Sequence, residues 1–185
     1  MIYKKEYINN HIYNQTKSIM TTSIIQSYNK ELEIDPKDAK AWNNLGALRM
    51  SHKDIAGAED AYKKAIEFDP KYVIAWYNLG ILLKVHKEDI TGAIDAFKKA
   101  LEFGPKFAQA WNNLGSLLDD KEDITGAIDA YKKALEIDPK YANAWFGLGN
   151  LLDENPDTCG EAIEAYKKAI EFNPKHAGVW YNLGL

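Results

Sequence analysis

The amino-acid sequence predicts an all-α protein built as a solenoid of stacked helix–turn–helix repeats. Three observations carry this prediction: a recurring tryptophan, a recurring proline, and two apolar stripes of helical period between them. Tryptophan and proline recur at the same four intervals, of 34, 35, 34 and 35 residues, a period typical of stacked-repeat proteins. The members of the two series are Trp42, Trp76, Trp111, Trp145 and Trp180, and Pro36, Pro70, Pro105, Pro139 and Pro174.

The residues between one tryptophan and the next proline predict two helices joined by a turn. In the third copy, apolar residues from Trp111 to Leu118 follow an i, i+3, i+4, i+7 spacing, and a second such stripe begins at Ala127 and includes Tyr131. The segment KEDITG between the stripes is polar and typical of a turn that caps a helix. Pro139 closely follows the second stripe, where it cannot continue a helix.

This series of Trp, Leu-Gly, Ala, an aromatic residue, Ala and Pro resembles the tetratricopeptide repeat family. The resemblance implies a right-handed superhelical solenoid. One departure is that the family favours Tyr shortly after Leu-Gly, whereas Arg49, Leu83, Leu118 and Leu152 stand there. The predicted units are repeat 1 (39–72), repeat 2 (73–107), repeat 3 (108–141), repeat 4 (142–176) and a partial unit (177–185).

Residues 1–38 are predicted to form a degenerate N-terminal repeat or cap. Its second helix is expected at about 23–34 and a degenerate first helix at about 3–18, because Tyr28 and Leu32 fall in register with the later repeats. Glu31 replaces an alanine of the later repeats, and Arg49 replaces a leucine. Since these two unusual residues lie one repeat interface apart, we expect them to form an ion pair.

Composition predicts a soluble, cytoplasmic protein. The chain of 185 residues is 46% hydrophobic and 27% charged, with a net charge of −4 and no apolar run long enough to cross a membrane. Cys159 is the single cysteine, which suits a reducing compartment. Among 23 basic residues only Arg49 is an arginine, so neither a nucleic-acid partner nor a membrane partner is expected.

The sequence offers no pattern typical of catalysis or of metal and cofactor binding. His52 and His86 occupy equivalent turns of successive repeats, too far apart to share one ion. The acidic stretch DDKEDITG lacks the spacing of a calcium loop, and no histidine neighbours Cys159 in sequence. We therefore expect no catalytic, metal or cofactor site and no enzyme activity.

The predicted function is that of an interaction scaffold that binds an extended peptide in a concave groove lined by the first helices, as the family resemblance implies. Asn44, Asn78, Asn113 and Asn182 each lie two residues beyond a tryptophan and are expected to form a ladder of amides. This ladder is similar to the one in the repeat arm of O-GlcNAc transferases. The lysines of a chaperone-binding carboxylate clamp are absent from the matching positions.

The groove is predicted to be chemically divided, with an apolar part and an acidic part. An extended peptide with an apolar anchor and a basic segment is the expected partner. The predicted peptide-binding residues are Asn44, Ile74, Tyr77, Asn78 and Ile81 in repeats 1 and 2, and Asn113, Asp119, Asp120, Asn150, Asp153, Glu154 and Asn182 beyond them.

Two alternatives remain open. In the first alternative to the peptide-binding scaffold, the chain is the substrate-recognition arm of a larger enzyme, such as an O-GlcNAc transferase-like protein. In the second, it is a self-assembling structural repeat protein. Because the sequence stops within a first helix, without a polar capping helix, self-association through the C-terminal end is expected. The residues expected to mediate it are Trp180, Leu183 and Leu185.

Overall fold

The computed structural model describes residues 22–184, in which helices follow one another along the chain and the predicted all-α class is confirmed. The predicted helix at about 3–18 and the side chain of Leu185 lie outside the described residues. The helices are α1 (22–34), α2 (Ala39–Ser51), α3 (Ile55–Phe68), α4 (Val73–His86), α5 (Ile90–Phe103), α6 (Ala108–Asp119), α7 (Ile124–Ile137), α8 (Ala142–Asp153), α9 (Cys159–Phe172) and α10 (Ala177–Asn182).

Three of the second helices start in the same way because the same residues recur before them. The N-cap residue of α7, Asp123, accepts a hydrogen bond from the backbone N–H of Gly126 at 3.0 Å. Such a bond satisfies a helix-terminal N–H that has no partner within the helix. A Cβ at position 126 would lie 2.4 Å from Oδ2 of Asp123, so the capped geometry requires glycine there. Asp54 with Gly57 and Asp89 with Gly92 repeat this arrangement in α3 and α5.

Repeat 4 enters its second helix differently. A short 3₁₀ turn, Pro156–Thr158, precedes α9, and Asn155 Oδ1 accepts from the N–H of Asp157 at 3.0 Å. The hydroxyl of Thr158 donates to the backbone carbonyl of Leu152 in α8 and to that of Asn155 in the turn, and it does not cap α9. The start of α9 thus differs from that of the other second helices, and its first residue, Cys159, is exposed.

The link between consecutive repeats explains why proline and tryptophan share one period. In each repeat the indole Nε1–H of the tryptophan donates to the carbonyl oxygen of the proline six residues earlier, at 2.8–2.9 Å. Before that proline, an aspartate or asparagine side chain accepts from the N–H two residues on. Asp35, Asp69, Asp138 and Asn173 do so, while Gly104 holds the same place in repeat 2 without a side chain.

The described helices fall into two compact units that divide between Leu82 and Leu83. In the first unit, α2 packs on α3, and a core cluster of Leu32, Ala41 and Leu45 joins α1 to α2. Gly46 lets the helices of repeat 1 approach, since a Cβ there would lie 2.6 Å from the ring of Tyr62.

In the second unit, α6 packs on α7 and α8 packs on α9, with α7 also contacting α8. Tyr131 of α7 and Tyr166 of α9 are buried aromatic residues, each in a core cluster of this unit. Burial raises the pKa of Tyr131 above its ordinary value, and the nearby Asp119 and Asp120 raise it further.

The predicted ion pair between Glu31 and Arg49 is wrong. Arg49 instead donates from Nη1 to the backbone oxygen of Gly57 at 3.1 Å, and its Nε lies 3.9 Å from Oδ2 of Asp54. Glu31 is exposed. The guanidinium therefore turns toward the start of α3 in its own repeat, where it donates to a helix backbone carbonyl and lies near the capping carboxylate.

Candidate protein-interaction surface

The apolar residues predicted for the groove share one stripe of α4 in the first compact unit. Ile74, Asn78 and Ile81 follow an i, i+4, i+7 spacing, with Tyr77 beside them. Ile74 is 41% exposed, although it is a large aliphatic side chain, and the other three are half-buried. This stripe, hereafter the α4 stripe, presents apolar surface that repeat 1 and α4 do not bury.

The predicted asparagine ladder is engaged in bonds within the chain. Asn78 donates from Nδ2 to Oδ1 of Asn43 at 2.9 Å, which links α4 to α2. Asn43 is buried and lies one residue beyond Trp42, not two, so it was missed by the prediction. Asn44 is half-buried and lines a cleft of about 440 Å³ between α1 and α2, together with Tyr28. Amide groups of the ladder thus hold neighbouring helices together.

In the second unit, Asn182 and Asn150 close a polar triad with Tyr166. Asn182 donates from Nδ2 to Oδ1 of Asn150 at 2.9 Å and to the hydroxyl of Tyr166 at 3.1 Å. The Tyr166 hydroxyl donates to the same Asn150 oxygen at 3.0 Å. The triad connects α8, α9 and α10. Because these bonds use only Oδ1 of Asn150, the two protons on its Nδ2 can be donated to another acceptor. Asn113, another predicted member, is half-buried in α6.

The interruption of the ladder at repeat 4 has a steric cause. Gly147 stands where the other repeats have asparagine, and a Cβ there would lie 2.4 Å from Cζ of Tyr131. The tyrosine ring of repeat 3 occupies the space that a side chain at position 147 would need. Glycine at this position is therefore a packing requirement of the contact between α7 and α8.

The predicted carboxylates form an acidic surface at the ends of α6 and α8. Burial raises the pKa of Asp119, and the negative charges of Glu154 and Asp120 raise it further. The pKa of Tyr166 is raised mainly by burial, and the negative charge of Asp153 raises it further. No cation lies within ion-pair distance of Asp119, Asp120, Asp153 or Glu154 among residues 22–184. These four carboxylates are hereafter the acidic surface.

One cation comes near the acidic surface without pairing with it. Lys84 of α4 donates from Nζ to the hydroxyl of Ser116 at 3.0 Å, and Ser116 is hydrogen bonded to Tyr131. Ser116 lies one turn before Asp119 on α6. Lys84 occupies the position at which repeats 3 and 4 carry Asp119 and Asp153, so the charge at this position changes sign along the array.

The C-terminal helix α10 exposes aromatic side chains. Trp180 is 37% exposed and Tyr181 is 85% exposed, whereas Leu183 is half-buried against the α9 cluster. Val179 anchors α10 because it is fully buried. The outer side of α10 thus presents an aromatic surface.

Residues 22–184 contain neither a metal-binding cluster nor a membrane-spanning helix. No group of three or more histidine, cysteine, aspartate or glutamate side chains is arranged to hold a metal ion there. Within the same residues, none of the helices combines the length and apolar character needed to span a bilayer.

Comparison with protein families supports a repeat protein. The "Tetratricopeptide repeat" models match residues 39–72 and 61–95, and a "TPR repeat" model matches 120–155 and 160–185. These segments together cover more than half of the 185 residues. No curated protein matches the chain in sequence.

Solved structures share the fold over most of the chain. One crystal structure of MamA is 28% identical, with a TM-score of 0.74 over 89% of this chain and 95% of that chain. YrrB, described as a TPR protein with an unusual peptide-binding site, is 23% identical, with a TM-score of 0.74 over 92% and 87%. MamA from Desulfovibrio magneticus RS-1, residues 41 to the end, is 20% identical, with a TM-score of 0.71 over 85% and 88%.

Tandem helix hairpins and exposed helix faces of this kind define a class of protein-interaction scaffolds, whose members are typically not enzymes. The chain belongs to the tetratricopeptide repeat family. The predicted similarity to O-GlcNAc transferases is not among these findings and stays a prediction.

Proposed function

We propose that this scaffold binds a peptide segment of a partner protein, that the acidic surface recognises lysine or arginine in that segment, and that the α4 stripe binds an apolar side chain. The observation that carries the proposal is the electrostatic state of Asp119. Its pKa is raised by burial and by the charges of Glu154 and Asp120, and no cation pairs with it within the described chain. A basic partner would relieve this repulsion.

The acidic surface would act mainly on the rate and selectivity of binding. Exposed charge pairs contribute roughly 0–1 kcal/mol each, so four carboxylates favour basic over acidic peptides without giving high affinity. Their long-range attraction would speed the encounter and be screened at high ionic strength.

The asparagines would contribute hydrogen bonds to the peptide backbone. Asn44 and Asn150 retain donor or acceptor capacity beyond the bonds described above, because an asparagine amide offers two donors and two acceptor lone pairs. Each such bond is worth about 0.5–1.5 kcal/mol, which alone does not offset the ordering of a flexible peptide.

The α4 stripe would supply the remaining affinity. Burying one aliphatic or aromatic side chain of the partner against Ile74, Tyr77 and Ile81 contributes about 1.5–3 kcal/mol. Together with the polar contacts, this favours dissociation constants of roughly micromolar order. YrrB shares the fold and is described as having an unusual peptide-binding site, which is consistent with a peptide-binding role for this architecture.

The test is a titration of fluorescently labelled peptides that pair one leucine or phenylalanine with three lysines. The native protein is compared with the D119K/D153K double variant and with the Y77A variant. We expect at least a tenfold weaker binding of the lysine peptide to D119K/D153K, and a several-fold loss in Y77A that is independent of salt. Binding to the native protein should weaken steeply between 50 and 300 mM NaCl, by about tenfold.

A charge-matched control distinguishes the loss of the acidic surface from the change in the net charge of the protein. The D129K/E136K variant adds the same charge on exposed positions of α7, away from the acidic surface. It should bind the lysine peptide within a factor of two or three of the native protein. If a glutamate-containing peptide binds as well as the lysine peptide, and Y77A changes nothing, the proposal is wrong.

Self-association is a second candidate, favoured by the exposed aromatic side chains of α10. A second copy of the chain would bury Trp180 and the neighbouring apolar surface at Leu183; Leu185, which was also predicted to take part, lies outside the described residues. Sedimentation velocity up to several hundred micromolar tests this, with W180E/Y181E as the variant. A species that stays monomeric over that range contradicts it.

The cytoplasmic location, and the alternative that the chain is the recognition arm of a larger enzyme, remain predictions. The cytoplasmic location rests on the single exposed Cys159 and on composition. Fractionation of cells that express the tagged native protein would test it.

A further inference from the structure

A groove of about 490 Å³ runs between α8 and α9 in repeat 4, on residues that belong to neither the acidic surface nor the α4 stripe. Its α8 side is apolar and consists of Trp145, Leu148 and Leu152. Its α9 side is formed by Gly160, Glu161 and Glu164, among others. The groove therefore combines an apolar wall with carboxylates along one edge.

The groove is open because repeat 4 departs from its own pattern at the start of α9. Ile124, the first residue of α7, packs against the core of repeat 3, whereas Cys159 at the equivalent position of α9 is exposed. The next residue is Gly160 where repeat 3 has Thr125. A Cβ at Gly160 would find no atom within 4 Å.

Two earlier repeats show which group fits against the tryptophan. The ammonium of Lys64 lies 4.4 Å from the ring centroid of Trp42, and that of Lys133 lies 4.4 Å from the centroid of Trp111. Both distances are within the range of a cation–π interaction. The same chain thus twice places a lysine ammonium over the tryptophan of the first helix.

In repeat 4 the equivalent lysine points elsewhere. Lys168 donates to Oε2 of Glu171 at 2.8 Å, and its ammonium lies 5.8 Å from the ring of Phe172. Although Lys168 lines the groove, its charge is compensated by Glu171. The face of Trp145 is consequently left to the groove and without the ammonium that Trp42 and Trp111 have.

The charge at the edge of the groove is particular to repeat 4, whereas a glutamate partner for the lysine is not, since Lys99 of repeat 2 pairs with Glu102 at 2.7 Å. Glu161 is the third residue of α9, where the other second helices have Gly57, Gly92 and Gly126. Within residues 22–184, no cation lies at ion-pair distance from Glu161, and Glu164 is paired with Lys167 at 2.7 Å. The groove therefore carries an uncompensated negative charge near an open aromatic face.

We infer that this groove binds a lysine side chain of a partner protein, with its ammonium over Trp145 and beside Glu161. The aliphatic stem would lie along Leu148 and Leu152, as lysine stems do on apolar surface. This site is distinct from the peptide surface proposed above, and its test does not depend on that proposal.

The experiment follows the five indole N–H resonances of the ¹⁵N-labelled protein by NMR. The probes are acetyl-leucyl-lysine amide and its uncharged analogue acetyl-leucyl-norleucine amide, each added up to 20 mM. We expect the lysine probe to shift the Trp145 indole resonance saturably and with at least a fivefold lower dissociation constant than the norleucine probe. The Trp111 resonance, already covered by Lys133, should move much less.

Two variants assign the effect to the groove. C159I/G160T restores the residues of repeat 3 and should abolish the saturable shift, since it narrows the groove with residues this fold already accepts. E161Q should weaken lysine binding at least threefold and leave norleucine binding unchanged. The control is D129N, which removes a carboxylate from α7 of repeat 3, at the position equivalent to Glu164. It should leave the binding of both probes unchanged. Equal binding of the two probes, no shift of the Trp145 resonance, or undiminished binding by C159I/G160T would overturn the inference.

Discussion

The indole N–H of Trp111 donates to the carbonyl oxygen of Pro105 at 2.9 Å, across six residues of sequence. This bond closes the loop between repeats 2 and 3, and it holds the tryptophan at the entrance of α6. Because the equivalent bond recurs at all five tryptophans, the two periodic residues of the sequence are two ends of one structural connection.

Replacing Trp111 by phenylalanine should destabilise the protein by about 1–3 kcal/mol, because it removes the bond to Pro105 and part of the stacking surface of Lys133. Urea denaturation followed by circular dichroism measures the change. K133M, which removes only the cation, should cost less than about 1 kcal/mol. Equal effects of the two variants would contradict the role given to the indole N–H.

Replacing Gly104 by aspartate should stabilise the protein by about 0.5–1 kcal/mol, because it restores a hydrogen bond to the backbone and restricts the unfolded chain. The backbone at Gly104 has φ −131°, close to the −129° of Asp138, so the substitution needs no strained conformation. Asp138 accepts from the N–H of Lys140 at 3.0 Å in the same setting. The reverse change, D138G, is the matched control and should destabilise by a similar amount in denaturant titration.

Restoring the asparagine ladder at repeat 4 should be harmful. G147N is expected to destabilise by about 1–3 kcal/mol, because the new side chain would collide with the buried ring of Tyr131. G160A provides the matched control in α9, where a Cβ meets open space, and should stabilise by about 0.5–1 kcal/mol. Thermal denaturation compares the two variants. A G147N protein as stable as the native one would show that Tyr131 readily moves aside.

Replacing Asp119 by asparagine should raise the melting temperature at pH 7 by about 1–3 °C. A carboxyl group whose pKa is raised in the folded state destabilises the fold when ionised, and this destabilisation is lost as the pH falls through the raised pKa toward the unfolded value. The advantage of D119N should therefore disappear near pH 4. Melting curves of D119N and of the exposed control D129N between pH 4 and pH 8 measure this; a pH-independent difference would contradict it.

The helical repeats could be predicted from the sequence because the tryptophan, the proline and the apolar stripes depend on local spacing. The pairing of Gly46 with Tyr62, in which a small residue accommodates a ring, follows the same pattern in repeats 3 and 4. The predicted contact of Glu31 with Arg49 failed because a long side chain reaches several partners at once, and the carbonyl of Gly57 was nearer. The spacing of residues in the sequence does not determine which of these partners a long side chain contacts.

The candidate surface could be predicted only in outline. The sequence places carboxylates at equivalent positions at the ends of the first helices, and in the structure the charges of Glu154 and Asp120 raise the pKa of Asp119. The hydrogen bonds that the asparagines form within the chain were not predicted. The partner of Asn78 is Asn43, which lies at a different position of the preceding repeat. That pairing depends on the relative rotation of two helices, which the repeat period alone does not determine.

The bonds that shape each repeat join residues close together in sequence, and this has a consequence for how the chain folds. The proline–tryptophan bonds span six residues, and the bond between Asn43 and Asn78 spans 35. Short closures cost little chain entropy, and topologies dominated by them fold within microseconds to milliseconds. Refolding is therefore expected to be rapid and to start from more than one hairpin, so no single helix pair would act as an obligatory nucleus.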